Sequence, residues 1–322
     1  FKQKTAYEIS TRDWSSDVCS SDLGPVVLAM GKFGGREMNY ASDIDVVFLY
    51  DHEGISFHPR RIRKSSESTT NAHFFGELAQ RTMRVFNAFT PQGRLYEMDS
   101  RLRPSGRSGP AAISLDEFER YFAPDGPAAV WERQALVKAR VVVGAKPAAD
   151  RAMQIVTQAT YGRQWTADDV RAIRDMRYRM EEGARETNLK RGPGGVVDIE
   201  FIAQALQLLH GGAEPRLRTP ETLAALVALH EAGHLTDSQF DGLSRSYRTL
   251  RLIEGRLRLL DAAARHDFPA DPDEQRTLAH LLGYGDAASL LADVRTITSR
   301  TRSRSEEHTS ELQSRVDISY AV

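Results

Sequence analysis

The sequence has little cysteine, no long apolar stretch and almost no net charge, and each shortage excludes a class of protein. Cys19 is the only cysteine among 322 residues, which excludes an internal disulfide framework and a zinc site built on cysteines. No apolar run approaches the roughly 18 residues of a membrane span, and no basic-then-apolar export signal is present. With 43 basic and 44 acidic side chains, nothing indicates a polyanionic partner. We therefore expect a cytoplasmic protein without nucleic-acid or membrane partners.

The most informative segment is a glycine-rich turn between two short runs of bulky, β-branched residues, Pro25–Met30 and Ile44–Tyr50. Such runs predict strands. Asp43 and Asp45 stand at the start of the second run, and alternate residues of a strand project to the same face. Two adjacent carboxylates repel each other unless a cation lies between them. Mg²⁺, which binds a few carboxylates together with substrate phosphates, suits this arrangement.

A third carboxylate is expected from a neighbouring strand, and the run from Arg94 to Arg103 is the candidate. With a period of two, one face of this predicted strand carries Glu97, Asp99, Arg101 and Arg103. Guanidinium groups suit phosphate because their planar fork donates two hydrogen bonds at once. We favour Asp99 over Glu97 as a metal ligand. The alternative is an edge strand with a solvated charged face.

Four sequence blocks together resemble the bifunctional glutamine synthetase adenylyltransferase/adenylyl-removing enzyme family. They are GKFGGREMNYASDIDVVFLYD, YEMDSRLRPSGRSGP, WERQALVKARVVVG and LKRGPGGVVDIEFIAQALQL, in the order of the family. Family members carry two modules in tandem, each a nucleotidyltransferase domain followed by helices. This chain resembles one such module, half of a bifunctional protein.

The resemblance implies an α+β fold in two domains. A nucleotidyltransferase domain of the polymerase-β-like type is expected over residues 24–145, followed by an all-α helical bundle over 146–303. The terminal stretches, 1–23 and 304–322, match nothing in the family pattern. They resemble translated adapter or cloning sequence, so we expect both to be non-native tails.

The resemblance also implies a reaction, the transfer of AMP from ATP to a tyrosine of glutamine synthetase. Two Mg²⁺ ions would be held by Asp43, Asp45 and Asp99, one activating the attacking oxygen and the other neutralising the departing diphosphate. The residues expected to bind the nucleotide and its phosphates are Gly34, Gly35, Ser42, Arg101, Arg103, Lys190 and Arg191. The last two belong to a basic glycine-rich loop before a predicted helix, where free N–H groups suit anions.

Helix signals recur along the rest of the chain. Ser68, Thr69 and Thr70 are candidate caps of a helix whose apolar face would run from Phe75 to Phe86. A further helix is predicted over Trp131–Val142, in which Lys138 and Arg140 either reach the nucleotide or form a solvated face. Capping boxes begin two other helices, Ser114 with Glu117 and Thr166 with Asp169. The arginines of the second of these helices are expected mostly in solvent.

One motif imitates a metalloprotease. Residues 230–234 fit the H-E-x-x-H pattern of zinc proteases, with His230 and His234 as its two histidines. Gly233, however, stands where a helix should end. We predict a helix terminus there and no zinc site.

Three alternatives to AMP transfer stay open. The family also removes AMP by phosphorolysis, and the blocks of this chain resemble both kinds of module, with a lean towards transfer. A second alternative is another nucleotidyltransferase, for example one resembling the PII-protein uridylyltransferases. The third is a non-catalytic regulatory module of the same fold. A PII-type signalling protein is a further partner that the family resemblance implies.

Overall fold

The computed structural model describes residues 24–57, 68–94, 96–260 and 266–319. The fold is mixed α+β, with a small sheet in the first part of the chain and helices in the second. The predicted tail over 1–23, with Cys19, lies outside the described residues. Towards the other end, the last helix runs without a break through residue 304 to Ser319.

The main sheet is built around one long strand. The strands are β1 Pro25–Ala29, β2 Asp43–Tyr50, β3 Ile55–Phe57, β4 Ser68–Thr70, β5 Glu97–Asp99, β6 Ala112–Ser114 and β7 Arg140–Val143. The order β5-β2-β1-β7 makes β2 central, and β6 also pairs with β2 beyond the end of β5. β2 is antiparallel to β1 but parallel to β5 and β6. β3 and β4 form a separate two-stranded ribbon. Both strands predicted around the glycine turn are confirmed.

The helices fall into two groups. Those around the sheet are α1 Gly31–Gly34, α2 Asn71–Asn87, α3 Leu115–Tyr121, α4 Val130–Ala135 and α5 Lys146–Tyr161. Those that follow are α6 Ala167–Glu181, α7 Val196–His210, α8 Thr222–Glu231, α9 Asp237–Leu260, α10 Pro272–Leu281 and α11 Ala287–Ser319. Within the described ranges, no helix has the length and apolar content that crossing a membrane requires.

The two faces of the sheet have separate cores. Alternation along β2 sends Ile44, Val46 and Phe48 to one face, where they pack with Phe75 of α2. The intervening residues, including Val47, face α3 and α5 on the other side. Because β2 is covered on both faces, it reads as a nearly continuous apolar run after its two aspartates.

The predicted helix over Trp131–Val142 is wrong. Helix α4 ends at Ala135, a 3₁₀ turn covers Leu136–Lys138, and Arg140–Val143 forms strand β7 against β1. Its three consecutive valines are stiff at χ1, and pairing with β1 uses their preference for extended backbone. Here sheet pairing overrode the helical pattern.

The helix after Thr70 is confirmed, with one misplaced core residue. The Thr70 hydroxyl accepts a hydrogen bond from the N–H of His73, as a cap does. Phe75 is buried, but Phe86, which we placed on the same apolar face, is half exposed. The apolar core that packs against α2 does not reach the last turn of this helix, where Phe86 lies.

The second group of helices shares one large core centred on α9. Leu250 and Ile253 of this helix are fully buried among residues of α7, α8 and α11. Thr166 and Asp169 form the predicted capping box at the start of α6. The expectation that its arginines lie in solvent fails at Arg177, which is buried and paired with the fully buried Asp198 of α7 at 2.7 Å.

The imitation zinc motif lies where the sequence predicted a helix end. Helix α8 stops at Glu231, and Gly233 adopts a positive φ of 79°, which L side chains rarely adopt. His230 is hydrogen-bonded to Asp237 and His234 to Glu214, so the two rings have separate partners. The interpretation as a helix terminus is confirmed.

Candidate functional site

The parallel pairing of β2 with β5 brings the predicted carboxylates together. Asp45 lies in register with Asp99, and Asp43 with Glu97. The strand predicted over Arg94–Arg103 is shorter than expected, since β5 ends at Asp99 and Leu95 lies outside the described residues.

Burial and charge repulsion both perturb the pKa of Asp45. Burial, and then the negative charges of Asp99 and Asp43, raise the pKa of Asp45 to about 7. The positive charges of Lys190 and Arg101 oppose this rise only in part. The positive charge near Asp45 therefore does not offset its burial and its two acidic neighbours.

This electrostatic deficit and the chemistry of the donors fit Mg²⁺, which prefers carboxylate oxygens. Within the described ranges, no three acidic, histidine or cysteine side chains lie close enough together to hold a metal ion. In this structure Asp99 is paired with Arg101. It accepts hydrogen bonds from the backbone N–H and the guanidinium of Arg101.

The two predicted glycines lie in a tight turn against the sheet. A Cβ on Gly34 would stand 1.9 Å from the carbonyl oxygen of Lys138, so only glycine fits there. The N–H of Gly34 donates to Met30 and that of Gly35 to Gly31. The structure therefore shows a packing role for Gly34, and the predicted phosphate contact of both glycines stays a prediction.

Helix α9 holds this turn through one stripe of charged side chains. Arg258 donates to the carbonyl of Tyr40 at 2.6 Å and to the hydroxyl of Ser42 at 3.1 Å. Arg251 donates to the carbonyl of Glu37. Ser42, predicted to bind phosphate, is thus buried between the turn and α9. The helices that follow the sheet contribute directly to the geometry of the turn that precedes the aspartates.

Glu254 is the centre of that stripe. Its buried carboxylate contacts Lys32 of the turn at 3.1 and 3.2 Å, across 222 residues of sequence. It also contacts Arg251, Arg258 and His266. Burial raises the pKa of Glu254, but these positive or ionisable neighbours outweigh burial and hold it below its usual range. Burial lowers the pKa of Lys32 to about 8, and the attraction of Glu254 offsets this fall only in part because Arg251 and Lys190 act against it.

A second buried ion cluster joins the same parts of the chain. Lys138 contacts Glu37 at 2.5 Å, Glu200 of α7 at 3.2 Å and the Thr222 hydroxyl at 3.0 Å. Burial favours the neutral amine, but Glu200 and Glu37 outweigh it and raise the pKa of Lys138. In this structure Lys138 binds protein carboxylates across the junction.

A cavity of about 560 Å³ opens between the sheet and the helices at this point, a size suited to a small ligand. Asp43, Asp45 and Ser42 lie on its wall, as do Lys32 and Lys190. The side chain of Lys190 forms no ion pair with any residue in the described ranges. It is therefore available to an anion that enters the cavity.

The other predicted phosphate-binding arginines lie apart from this cavity wall. Arg101 is exposed and bound to Asp99. Arg103 braces its own loop by donating to the carbonyls of Ser100 and Gly109. Arg191 is exposed, and its backbone N–H donates to Asn188. The structure thus brings Asp43, Asp45, Ser42 and Lys190 to one cavity, and Asp99 is not on its wall.

Sequence reasoning missed the part played by Glu254. A signal was present, since Glu254 lies four residues after Leu250 and three before Leu257, on the buried stripe of α9. A charged residue on an apolar stripe indicates a buried partner. The sequence offered no means of identifying that partner as Lys32.

Two family models match adjacent parts of the chain. Residues 4–155 match the model of the glutamate-ammonia ligase adenylyltransferases, and residues 169–313 match that of the GlnD PII-uridylyltransferases. Both matches extend into the terminal stretches that we predicted to be foreign, and the domain boundaries stay a prediction.

Curated relatives carry one common name, bifunctional glutamine synthetase adenylyltransferase/adenylyl-removing enzyme. The protein from Xanthomonas oryzae pv. oryzae is 37% identical over 270 residues, and that from Aromatoleum aromaticum 35% identical over 270. Each alignment covers 83% of this chain and 28% of the relative. A relative from Nitrosococcus oceani is 36% identical over 265 residues, 81% of this chain and 26% of its own length. The chain belongs to this family. It spans little more than a quarter of the length of these relatives.

Proposed function

We propose that this member of the adenylyltransferase/adenylyl-removing family transfers AMP from ATP to a tyrosine hydroxyl of glutamine synthetase. The observation that carries the proposal is the parallel register of Asp45 with Asp99, together with the position of Asp43 and Asp45 on the wall of a ligand-sized cavity. The polymerase-β-like nucleotidyltransferase fold is part of the same proposal. So is the cytoplasmic location.

Each group has a role in this reaction. Asp43, Asp45 and Asp99 would hold Mg²⁺, which when bound neutralises charge on the phosphates and the departing diphosphate. Lys190, which has no ion pair in the described ranges, would bind the triphosphate. The tyrosine hydroxyl gives up its proton to solvent and its oxygen forms a bond to the α-phosphorus, as the bond to the bridging oxygen breaks and the diphosphate leaves. Arg101 would stabilise the transferring group once Asp99 binds the metal instead.

The helical stripe on α9 would keep the glycine turn in place while the phosphates change. Glu254 holds Lys32, and Arg258 holds Ser42, at the edge of the same cavity. Glu254 and Arg258 are positioning residues, because they act through the turn.

The test is label transfer. The full chain is incubated with glutamine synthetase, Mg²⁺ and ATP labelled on the α-phosphate, beside an Asp43→Asn/Asp45→Asn double variant. The matched control is Asp150→Asn, which removes an exposed carboxylate of α5 whose one ion pair among the described residues is with Lys146. We expect label on the synthetase with the wild-type chain and the control, and none with the double variant. A folded wild-type chain that transfers no label would refute the proposal.

The match of residues 169–313 to the uridylyltransferase model makes uridylyl transfer the second candidate. Labelled UTP with a PII-type protein as acceptor tests it in the same assay. AMP removal is tested with AMP-modified synthetase and phosphate, where release of ADP would assign this module to the removing step. A PII-type partner belongs to the proposal as an effector of the transfer.

A further inference from the structure

A second cavity, of about 390 Å³, lies between helices α3, α4 and α5, and the proposed reaction leaves it without a role. Among the described residues, none lines both this cavity and the one beside the carboxylates. Its volume suits a small ligand. We call it the arginine cavity and define it by six residues of its wall, Phe122, Arg133, Arg151, Ile155, Gln158 and Arg163.

One of the three arginines, Arg133, carries a buried charge that lacks an acid. Arg133 is only 3% exposed. Its Nη1 donates to the carbonyl of Phe122 at 2.6 Å and its Nη2 to that of Ala123 at 2.7 Å. Within the described ranges it forms no ion pair, and its Nε–H has no acceptor. Carbonyl dipoles compensate a full charge only in part, and a buried charge without a counter-ion is costly.

The other two arginines already have acids of their own. Arg151 contacts Asp116 at 2.6 Å. Arg163 contacts Asp169 at 2.8 Å. Burial, and then the positive charge of Arg163, lower the pKa of Arg133. An arginine nevertheless stays protonated near neutral pH. The arginine cavity therefore has room for one more negative charge beside Arg133.

We propose that the arginine cavity binds a small organic monocarboxylate, with the carboxylate against Arg133 and the carbon chain against Phe122 and Ile155. Both of these apolar side chains are buried, and a planar guanidinium matches the two oxygens of a carboxylate. One uncompensated positive charge matches a monoanion. Glu119, which also lies on the wall, disfavours a dianion such as phosphate. The proposal goes beyond AMP transfer and does not depend on it.

The experiment removes the charge from the ligand and adds a charge to the wall. Butyrate and butyramide, which share a carbon chain and differ in charge, are titrated with the full chain by saturation-transfer NMR at constant ionic strength. The wild-type chain is compared with Gln158→Glu, which adds a carboxylate to the cavity wall at an exposed position. The matched control is Gln80→Glu, an exposed position of α2 away from both cavities. Thermal unfolding midpoints of all three proteins are recorded alongside.

We expect the wild-type chain and the control to bind butyrate about tenfold more tightly than butyramide, because hydrogen bonds to a charged group are the stronger ones. In Gln158→Glu, butyrate binding should weaken about fivefold or more, since the added carboxylate repels the ligand. Butyramide binding should change little.

Equal binding of butyrate and butyramide by the wild-type chain would overturn the proposal, and this comparison needs no variant to fold. Butyrate binding that Gln158→Glu leaves unchanged would overturn it as well, because the carboxylate would then bind elsewhere. Tighter binding of inorganic phosphate than of butyrate would assign the cavity to phosphate and overturn the monocarboxylate. None of these results bears on AMP transfer, which the label-transfer assay tests separately.

Discussion

Replacing Glu254 by glutamine should lower the free energy of unfolding more than replacing an exposed charged residue does. The change keeps the shape of the side chain but removes the negative charge that Lys32, Arg251 and Arg258 share. These cations stay buried without compensation, and cutting one partner out of a buried ion pair costs about 3–5 kcal/mol. Because the amide can still accept hydrogen bonds, we expect a loss near the lower end, about 3 kcal/mol of unfolding free energy.

The assay is urea unfolding of the full chain, with the free energy extrapolated to water. The matched control is Glu77→Gln, which breaks an exposed i,i+4 pair with Arg81 on α2 at 3.2 Å. An exposed pair of this kind is worth less than about 1 kcal/mol. AMP transfer by Glu254→Gln should also fall, because Lys32 and the turn lose their anchor. A loss of stability no larger than that of the control would refute the interpretation of Glu254 as the anchor of the turn.

Two further predictions concern the carboxylates and the strand that carries one of them. Since the folded-state pKa of Asp45 is raised to about 7, the free energy of unfolding of the metal-free chain should fall by about 3–4 kcal/mol as the pH rises from about 4 to 8. Asp45→Asn should remove that loss, as measured by unfolding titrations at both pH values. A metal-free chain whose stability is flat over this range would contradict the prediction. Asn87 exchanges two hydrogen bonds with the Met98 peptide, at 2.7 and 3.0 Å, and so holds β5 and Asp99. Asn87→Ala should speed hydrogen exchange at the Met98 N–H by tenfold or more, and it should raise the Mg²⁺ concentration that transfer requires. Unchanged exchange would show that Asn87 does not hold β5 in place.

The local parts of this fold were predictable because their signals are local. Runs of β-branched residues indicated β1 and β2, a hydroxyl followed three residues later by an acid marked helix α6, and Gly233 marked the end of α8. The failed helix prediction has a non-local cause. The helix predicted to continue from Trp131 stops because β7 finds a partner in β1, and a local pattern carries no information about that partner.

The candidate site divides in the same way. That Asp43 and Asp45 would share one face followed from the period of a strand, and the same period in the run from Arg94 to Arg103 indicated Asp99. The cavity itself and the anchoring of the turn by α9 arise only when distant segments pack together.

The sequence by itself determined the strand–turn–strand unit that presents two carboxylates, and the family to which the chain belongs. The tertiary structure alone decided which charges are partners. Lys32 lies 222 residues from Glu254, and Lys138 lies 101 from Glu37 and 62 from Glu200. Periodicity assigns a residue to a face of its own helix or strand. Which face meets which depends on packing of the whole chain, and the strength of a buried ion pair depends on that encounter.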